Sequence, residues 1–368
     1  MRLDSSVYKT RRNSIVRGLS RKHGLDGLFV EKPLDIRYLT GFSCSKGALF
    51  LVGQGAYLVV DSRYAEQAKE ELQNLEVVRL ERNFLHTVSR LRRRLDGARL
   101  GYDRLYTTVA TMTELRAALR GKVLWKGLED PVGWERAVKL PQEIALIKRA
   151  VSIAQKAFQE TLREALSGRS TEKKVASLLK VRMLQLGAED FPFPVIVASG
   201  RRSSMVHTMP TAKRVAGLTL VDWGSVYEGY CCDITRTVAL GRVPAKLKEI
   251  HALVMEAREA ALQAISPGTT AGAVDEAARQ VIERAGYGNY FNHGLGHGVG
   301  MEVHEWPVIG RGRTESLVPG MVFTVEPGIY LPGTGGVRVE DMVVTTDDGY
   351  RLLTTLPQEL SPDAYLAD

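Results

Sequence analysis

No apolar run in this 368-residue chain is long enough to span a bilayer, which excludes a helical membrane protein. Its opening stretch, MRLDSSVYKTRRN, lacks an apolar signal core, so the expected location is the cytoplasm. Cysteine is scarce: Cys44, Cys231 and Cys232 are too few for a disulfide framework. Neighbouring cysteines on a strand point to opposite faces, so these read as small buried thiols. Phosphate loops are missing too. GLGHGVG alternates its glycines but fits neither G-x-G-x-x-G nor a Walker A pattern, and its spacing suggests a backbone that passes close to metal and substrate. Zinc-finger and ribonucleoprotein signatures are also absent. The formal charge is +8. Its densest basic run, RLRRRLDGAR at 90–99, reads as a solvated helix face, so neither nucleic acid nor membrane is an expected partner.

What is present is the composition of a water-soluble globular chain, 44% hydrophobic and 25% charged, with length for two domains. Residues 1–130 alternate short apolar strands (DGLFV, GALFLV, AYLVVD) with helical stretches such as SRYAEQAKEELQNL, an α/β pattern. Pro131, Gly133 and Pro141 mark a connector. From 140 to 368, two rounds of paired helices and strand pairs predict an α+β domain whose helices pack on one curved sheet. The first helices are QEIALIKRAVSIAQKAFQETLREAL and TEKKVASLLKVRMLQLG; the second are AKLKEIHALVMEAREAALQAI and AGAVDEAARQVIERAG.

Within the second part, acids interrupt strand-like runs. Asp222 ends LTLVD, Asp233 precedes ITRTVAL, Glu326 ends MVFTVE and Glu340 ends GVRVE. An unpaired charge in such a run would be very costly. A turn at Glu228-Gly229 would set Asp222 and Asp233 roughly opposite each other on paired strands. A hairpin centred on Gly333 would do the same for Glu326 and Glu340. His297 in GLGHGVG can add a nitrogen. Four carboxylates gathered in one place repel one another unless cations neutralise them. A carboxylate-rich set with one imidazole suits Mn, Co, Fe(II) or Zn, and five residues fit two ions that activate water better than one.

Four phrases, DITRT, HGLGHGVGMEVHEWP, PGMVFTVEPGIY and GGVRVEDMVVTTDDG, recur in one order over roughly residues 190–355 and resemble the pita-bread metallopeptidases. That group includes aminopeptidase P, Xaa-Pro dipeptidase (prolidase) and methionine aminopeptidase. DIRYLTGF at 35–42 and VVDSRY at 59–64 resemble the small N-terminal domain of the creatinase/aminopeptidase P/prolidase branch, which methionine aminopeptidases lack. The resemblance implies a creatinase-like α/β domain followed by a pita-bread catalytic domain, a curved antiparallel sheet with helices. It implies that Asp222 binds one divalent metal, that Asp233 and Glu340 bridge two, and that His297 and Glu326 complete the second. Glu326 would also be the general base. His207 and His304 would contact substrate or stabilise the tetrahedral intermediate. His293 could line the pocket. Arg338, on the same strand face as Glu340, could contact substrate or orient a carboxylate ligand, and Tyr227 is a further candidate.

The sequence departs from the family at three places. Cys232 replaces the usual serine before the second aspartate. VHTMPT surrounds His207 without the customary proline and glycine. Val308 stands where some dipeptidases carry an arginine after HEWP, with Arg311 and Arg313 nearby as possible substitutes. Val308 favours an Xaa-Pro aminopeptidase of the aminopeptidase P type, acting on the N-terminus of peptides. The alternative is an Xaa-Pro dipeptidase. Remoter readings are a creatinase-like hydrolase without metals and a catalytically silent binding module, and the full set of five ligand-type residues speaks against both. The family also implies a homodimer and proline-containing di- or oligopeptide substrates.

Overall fold

The structure, a computed structural model, describes residues 3–166 and 170–366, so the first two residues of the amino-terminal stretch lie outside it. The chain separates into two compact units, up to Arg136 and from Ala137 onward.

The first unit is built on six strands: β1 (Gly27–Val30), β2 (Gly47–Val52), β3 (Gly55–Val60), β4 (Glu76–Arg79), β5 (Arg99–Asp103) and β6 (Leu124–Leu128). Their order is β4-β3-β2-β1-β5-β6. Only β2 runs antiparallel to its neighbours, so the sheet is mixed. The SRYAEQAKEE run forms the helix Ser62–Glu71, started by the Asp61 carboxylate accepting from the Arg63 N–H. DIRYLT lies in the helix Pro33–Thr40, which Gly41 stops in the left-handed region at φ 76°. The basic run at 90–99 buries Leu91 and Leu95 and exposes Arg90, Arg93, Arg94 and Arg99, while half-buried Arg92 donates to the Ala118 carbonyl at 2.9 Å. Arg90 pairs with Glu81 (2.7 Å), Arg94 with Glu76 (2.5 Å) and Arg99 with Asp26 (3.2 Å). These acids neutralise the run locally, as a solvated face requires.

The second unit adds β7 (Ile196–Ser199), β8 (Gly217–Trp223), β9 (Val226–Tyr227), β10 (Tyr230–Cys231), β11 (Ile234–Leu240), β12 (Gly296–Gly298), β13 (Glu305–Ile309), β14 (Val322–Val325), β15 (Gly328–Leu331), β16 (Gly335–Arg338), β17 (Asp341–Thr346) and β18 (Gly349–Leu352). All its pairings are antiparallel. One core gathers around the helices Pro141–Ala165 and Glu172–Gln185, where Trp223 stacks on Phe158 at 4.3 Å. A second gathers around Ala245–Gln263 and Ala271–Arg284. The two rounds legible in the sequence therefore become two helix pairs, each with its own apolar core.

The hairpin geometry refines the sequence expectation. Glu228 and Gly229 are both left-handed (φ 45° and 74°), the two-residue turn that suits strand twist. The ladder that follows sets Asp222 opposite Thr235, so Asp233 is diagonal to Asp222, two residues along, and not directly across. Side chains two apart share a face, and both carboxylates still point the same way. In the other hairpin, β15/β16 and β14/β17 keep one register, from Leu331↔Gly335 to Val325↔Asp341, which places Glu326 opposite Glu340 at a break between the two ladders. There the glutamates turn their backbone N–H groups elsewhere: Glu326 donates to the Leu295 carbonyl (2.8 Å) and Glu340 to that of Thr235 (3.1 Å). That splitting draws the His297 and Asp233 segments together.

The alternating glycines serve strand packing as well. A Cβ at Gly296 would overlap the Thr324 carbonyl oxygen, and one at Gly298 the Trp306 carbonyl oxygen. These are close approaches of neighbouring strands, and Gly294 and Gly296 also line the cavity over the candidate site. Gly296→Ala should therefore overpack β12 against β14 and lower stability by about 1–3 kcal/mol. An unchanged urea midpoint would contradict this.

Candidate metal centre

Five side chains converge from four segments. Asp222 leaves the end of β8, and Asp233 immediately precedes β11. His297 lies in β12, and Glu326 and Glu340 stand at the open break between the ladders. Ligand atoms of Asp233, His297 and Glu340 all lie within 4.8 Å of one another. The His297 Nδ1–H donates to the Gly298 carbonyl at 3.1 Å. Its Nε2 therefore faces the carboxylates, 3.3 Å from Glu326 Oε1 and 3.6 Å from Asp233 Oδ2.

Other side chains fix these groups. Arg338 donates to Asp222 Oδ2 (2.6 Å), Thr235 Oγ1 (3.0 Å) and Tyr330 Oη (2.9 Å). The Thr235 hydroxyl donates to Glu340 Oε2 at 2.7 Å, and the Thr324 hydroxyl to Glu326 Oε1 at 3.2 Å. Arg338 thus holds Asp222 while it bonds three protein acceptors, and it also reaches the lining of the cavity over the cluster. Thr235, Thr324 and Tyr330 were not singled out from the sequence. Thr235 and Thr324 each lie two residues from a carboxylate on the same strand face, a signal that alternation carries.

Burial pushes Asp233 and Glu340 well above the ordinary carboxylate range, and the neighbouring carboxylates push in the same direction. Burial also raises Asp222, against the pull of Arg338. Glu326 goes the other way. Burial would raise it, but the His297 bond and charge outweigh that and bring it down to about 2. His297 mirrors this: burial opposes its charge, and Glu326 carries it upward.

Two oxygens complete the picture. Asp222 Oδ1 and Asp233 Oδ1 are buried without a hydrogen-bond partner. A buried lone pair with no donor is costly, and here two carboxylates show one each beside the His297 ring. Hard oxygen donors with one imidazole suit divalent cations, so the residues present fit such ions.

The cavity over this cluster measures about 410 Å³. Phe193, Pro194, Ile196, Val206 and Val308 give it an apolar wall, and His207, His293 and His304 reach its lining. His207 and His304 are exposed. Burial pushes His293 downward, towards the neutral form, and partial loss of solvent together with the His297 charge does the same for His304. His293 uses both nitrogens on the protein. Nδ1–H donates to the Gly294 carbonyl (2.8 Å), and Nε2 accepts from the Tyr330 hydroxyl (3.0 Å). It lines the cavity without an N–H to offer a ligand. Val308 sits across from His297 in the β12/β13 ladder. Neither arginine suggested as a substitute for a residue at 308 reaches the cavity. Arg311 pairs with Glu283 beside a neighbouring groove, and Arg313 lies 3.7 Å from Glu315. Tyr227 lies away from the cavity too, in β9 with Arg149 over its ring at 5.8 Å.

An antiparallel α+β unit carrying carboxylates and one imidazole, arranged for divalent cations beneath an apolar cleft, defines a metal-dependent hydrolase. The chain belongs to metallopeptidase family M24, which residues 145–347 match, and residues 12–138 match the creatinase/prolidase N-terminal domain. It is 36% identical to the Xaa-Pro dipeptidase of Pyrococcus furiosus, over 92% of this chain and 96% of that one. Among solved structures, the Xaa-Pro dipeptidase from Bacillus anthracis superposes with a TM-score of 0.88 at 32% identity, covering 97% of this chain and 99% of that one. The X-Pro aminopeptidase from Thermotoga maritima superposes with a TM-score of 0.83 at 36% identity, covering 92% and 98%. No helix among the described residues is long and apolar enough to cross a membrane.

Proposed function

We propose that this chain hydrolyses the bond between a first residue and proline, with Xaa-Pro dipeptides as its preferred substrates. The observation that carries the peptidase chemistry is the five-residue cluster with its two partnerless buried oxygens. The dipeptide preference is supported by the names of the Pyrococcus furiosus and Bacillus anthracis relatives. Asp222, Asp233, His297, Glu326 and Glu340 would hold two divalent cations (Mn, Co or Zn), which supply Lewis acidity that makes water nucleophilic at neutral pH and polarises a carbonyl oxygen. Glu326 takes the proton from the attacking water. Arg338 keeps Asp222 in place through the 2.6 Å bond. His207 and His304 stand at the cavity edge as N–H donors to the substrate oxygen that gains charge. The apolar wall receives the pyrrolidine ring, whose tertiary amide offers no N–H to satisfy. A cytoplasmic homodimer working on small peptides, with neither nucleic acid nor membrane, completes this reading.

A second reading, aminopeptidase action on longer peptides, is favoured by Val308. It presents a methyl-bearing wall where a cation could clamp a C-terminal carboxylate. Assaying Gly-Pro, Ala-Pro and an Ala-Pro-started tripeptide side by side separates the two. The dipeptides should show the higher kcat/KM, by about tenfold or more, which is about 1.4 kcal/mol. Efficient release of the first residue from the tripeptide, at or above the dipeptide rate, would replace the first reading by the second.

A further inference from the structure

His207 sits on a loop with no regular structure of its own. The turn of 3-10 helix Gly200–Ser204 ends just before it, and residues 205–210 belong to neither helix nor strand. Loops of this kind drift unless something ties them down. Here Arg202 reaches over the segment. Its Nη2 donates to Thr208 Oγ1 at 2.8 Å and to the Met209 carbonyl at 2.6 Å, gripping the two residues after His207. On its other side Nε lies 3.2 and 3.1 Å from the two Glu172 oxygens.

Glu172 is fully buried at the start of the helix Glu172–Gln185, where the helix dipole favours an anion. Its carboxylate also accepts from the Ser199 N–H (2.9 Å), the Thr211 N–H (2.9 Å) and the Thr211 hydroxyl (2.6 Å). One buried anion thus ties down the chain before the loop at Ser199, after it at Thr211, and over its middle through Arg202. A guanidinium suits this post because its planar fork serves several acceptors at once, which an ammonium on a flexible stem does not.

We propose that Arg202, seated on Glu172, is a positioning residue that holds the His207 loop against the cavity so that the imidazole meets the substrate in one place. The proposal rests on the reading that His207 contacts substrate. It is tested with Arg202→Lys, which keeps a positive charge beside Glu172, and Thr208→Val, which removes one gripped hydroxyl. His207→Ala and the Arg202→Lys/His207→Ala double variant complete the set. Amide hydrogen exchange over residues 205–211 reads the loop directly. Hydrolysis of Ala-Pro by the metal-loaded full chain reads the consequence. Exchange there should speed up in Arg202→Lys, while metal content matches the parent. Its kcat should drop about 10- to 100-fold, as a misplacement of around an ångström does, with a smaller change in KM. Thr208→Val should move both readouts in the same direction, by less. The double variant should be no slower than His207→Ala alone. Unchanged exchange in Arg202→Lys would overturn the clamp. Losses that multiply in the double variant would overturn positioning through His207. A silent His207→Ala would overturn it from the other side, by removing the functional reading of that histidine while the exchange result stood.

Discussion

Glu326→Gln is expected to lower kcat/KM for Ala-Pro by about 10²–10⁴-fold, the range that a positioned general base supplies. Glutamine keeps the shape and one oxygen but cannot take a proton. It also withdraws the charge that lifts His297, whose Nε2 lies 3.3 Å from Glu326 Oε1. Metal content measured on the same sample divides the two roles assigned to this residue. Full metal content with lost turnover points to the base. Lost metal points to the ligand. Turnover equal to the parent would remove Glu326 from both.

The largest expected effect on stability lies behind the site. Asp341 is fully buried and accepts from Arg236 Nη2 at 2.6 Å, Arg258 Nε at 2.6 Å and the Thr354 hydroxyl at 2.6 Å. Arg236 also donates to the carbonyls of Glu340 (2.6 Å), Leu356 (2.9 Å) and Pro357 (2.7 Å). Asp341→Asn would leave two buried guanidiniums without their anion. Breaking such an arrangement costs about 3–5 kcal/mol, visible as a lower denaturant midpoint. The pH dependence follows from the same groups. Burial alone would raise Asp341, but Arg236 and Arg258 hold it below the ordinary carboxylate range. A carboxylate depressed on folding contributes its full stability above its unfolded pKa of about 3.9 and loses it as pH falls towards the folded value. The parent should therefore lose stability on acidification through that range, and Asp341→Asn should show a shallower dependence there. Equal stability of the two chains at pH 7 would refute the assignment.

The link between that triad and the metal centre is strand alternation. In DITRT, Asp233 and Thr235 face the cluster while Arg236 faces away. In RVED, Glu340 faces the cluster and Asp341 turns to the arginines. Each adjacent pair therefore serves two functions from opposite faces of one strand. It also explains why the two motifs are dense in charge without being exposed.

Much of the site was legible because its logic is local. A carboxylate inside an apolar strand announces a hidden partner, and the turn residues around Gly333 set a register that the folded hairpin keeps. The alternating helix and strand rounds announced two helix pairs over strands. Other features were not legible. Gly296 accommodates the Thr324 carbonyl, which arrives from a later strand. His293 looked like a free donor until Tyr330, 37 residues on, occupied its Nε2.

Composition and two-residue periodicity were enough to place four carboxylates on two hairpins, with one histidine to join them, and to exclude a membrane span, a disulfide framework and a phosphate loop. Which of them meet, which neighbouring groups hold them and which arginine reaches them are matters of tertiary structure. Those contacts join residues about a hundred positions apart, such as Thr235 with Glu340 and Asp222 with Arg338. Alternation tells a side chain which face to take; only the packing of whole strands, one against another, decides what it finds there.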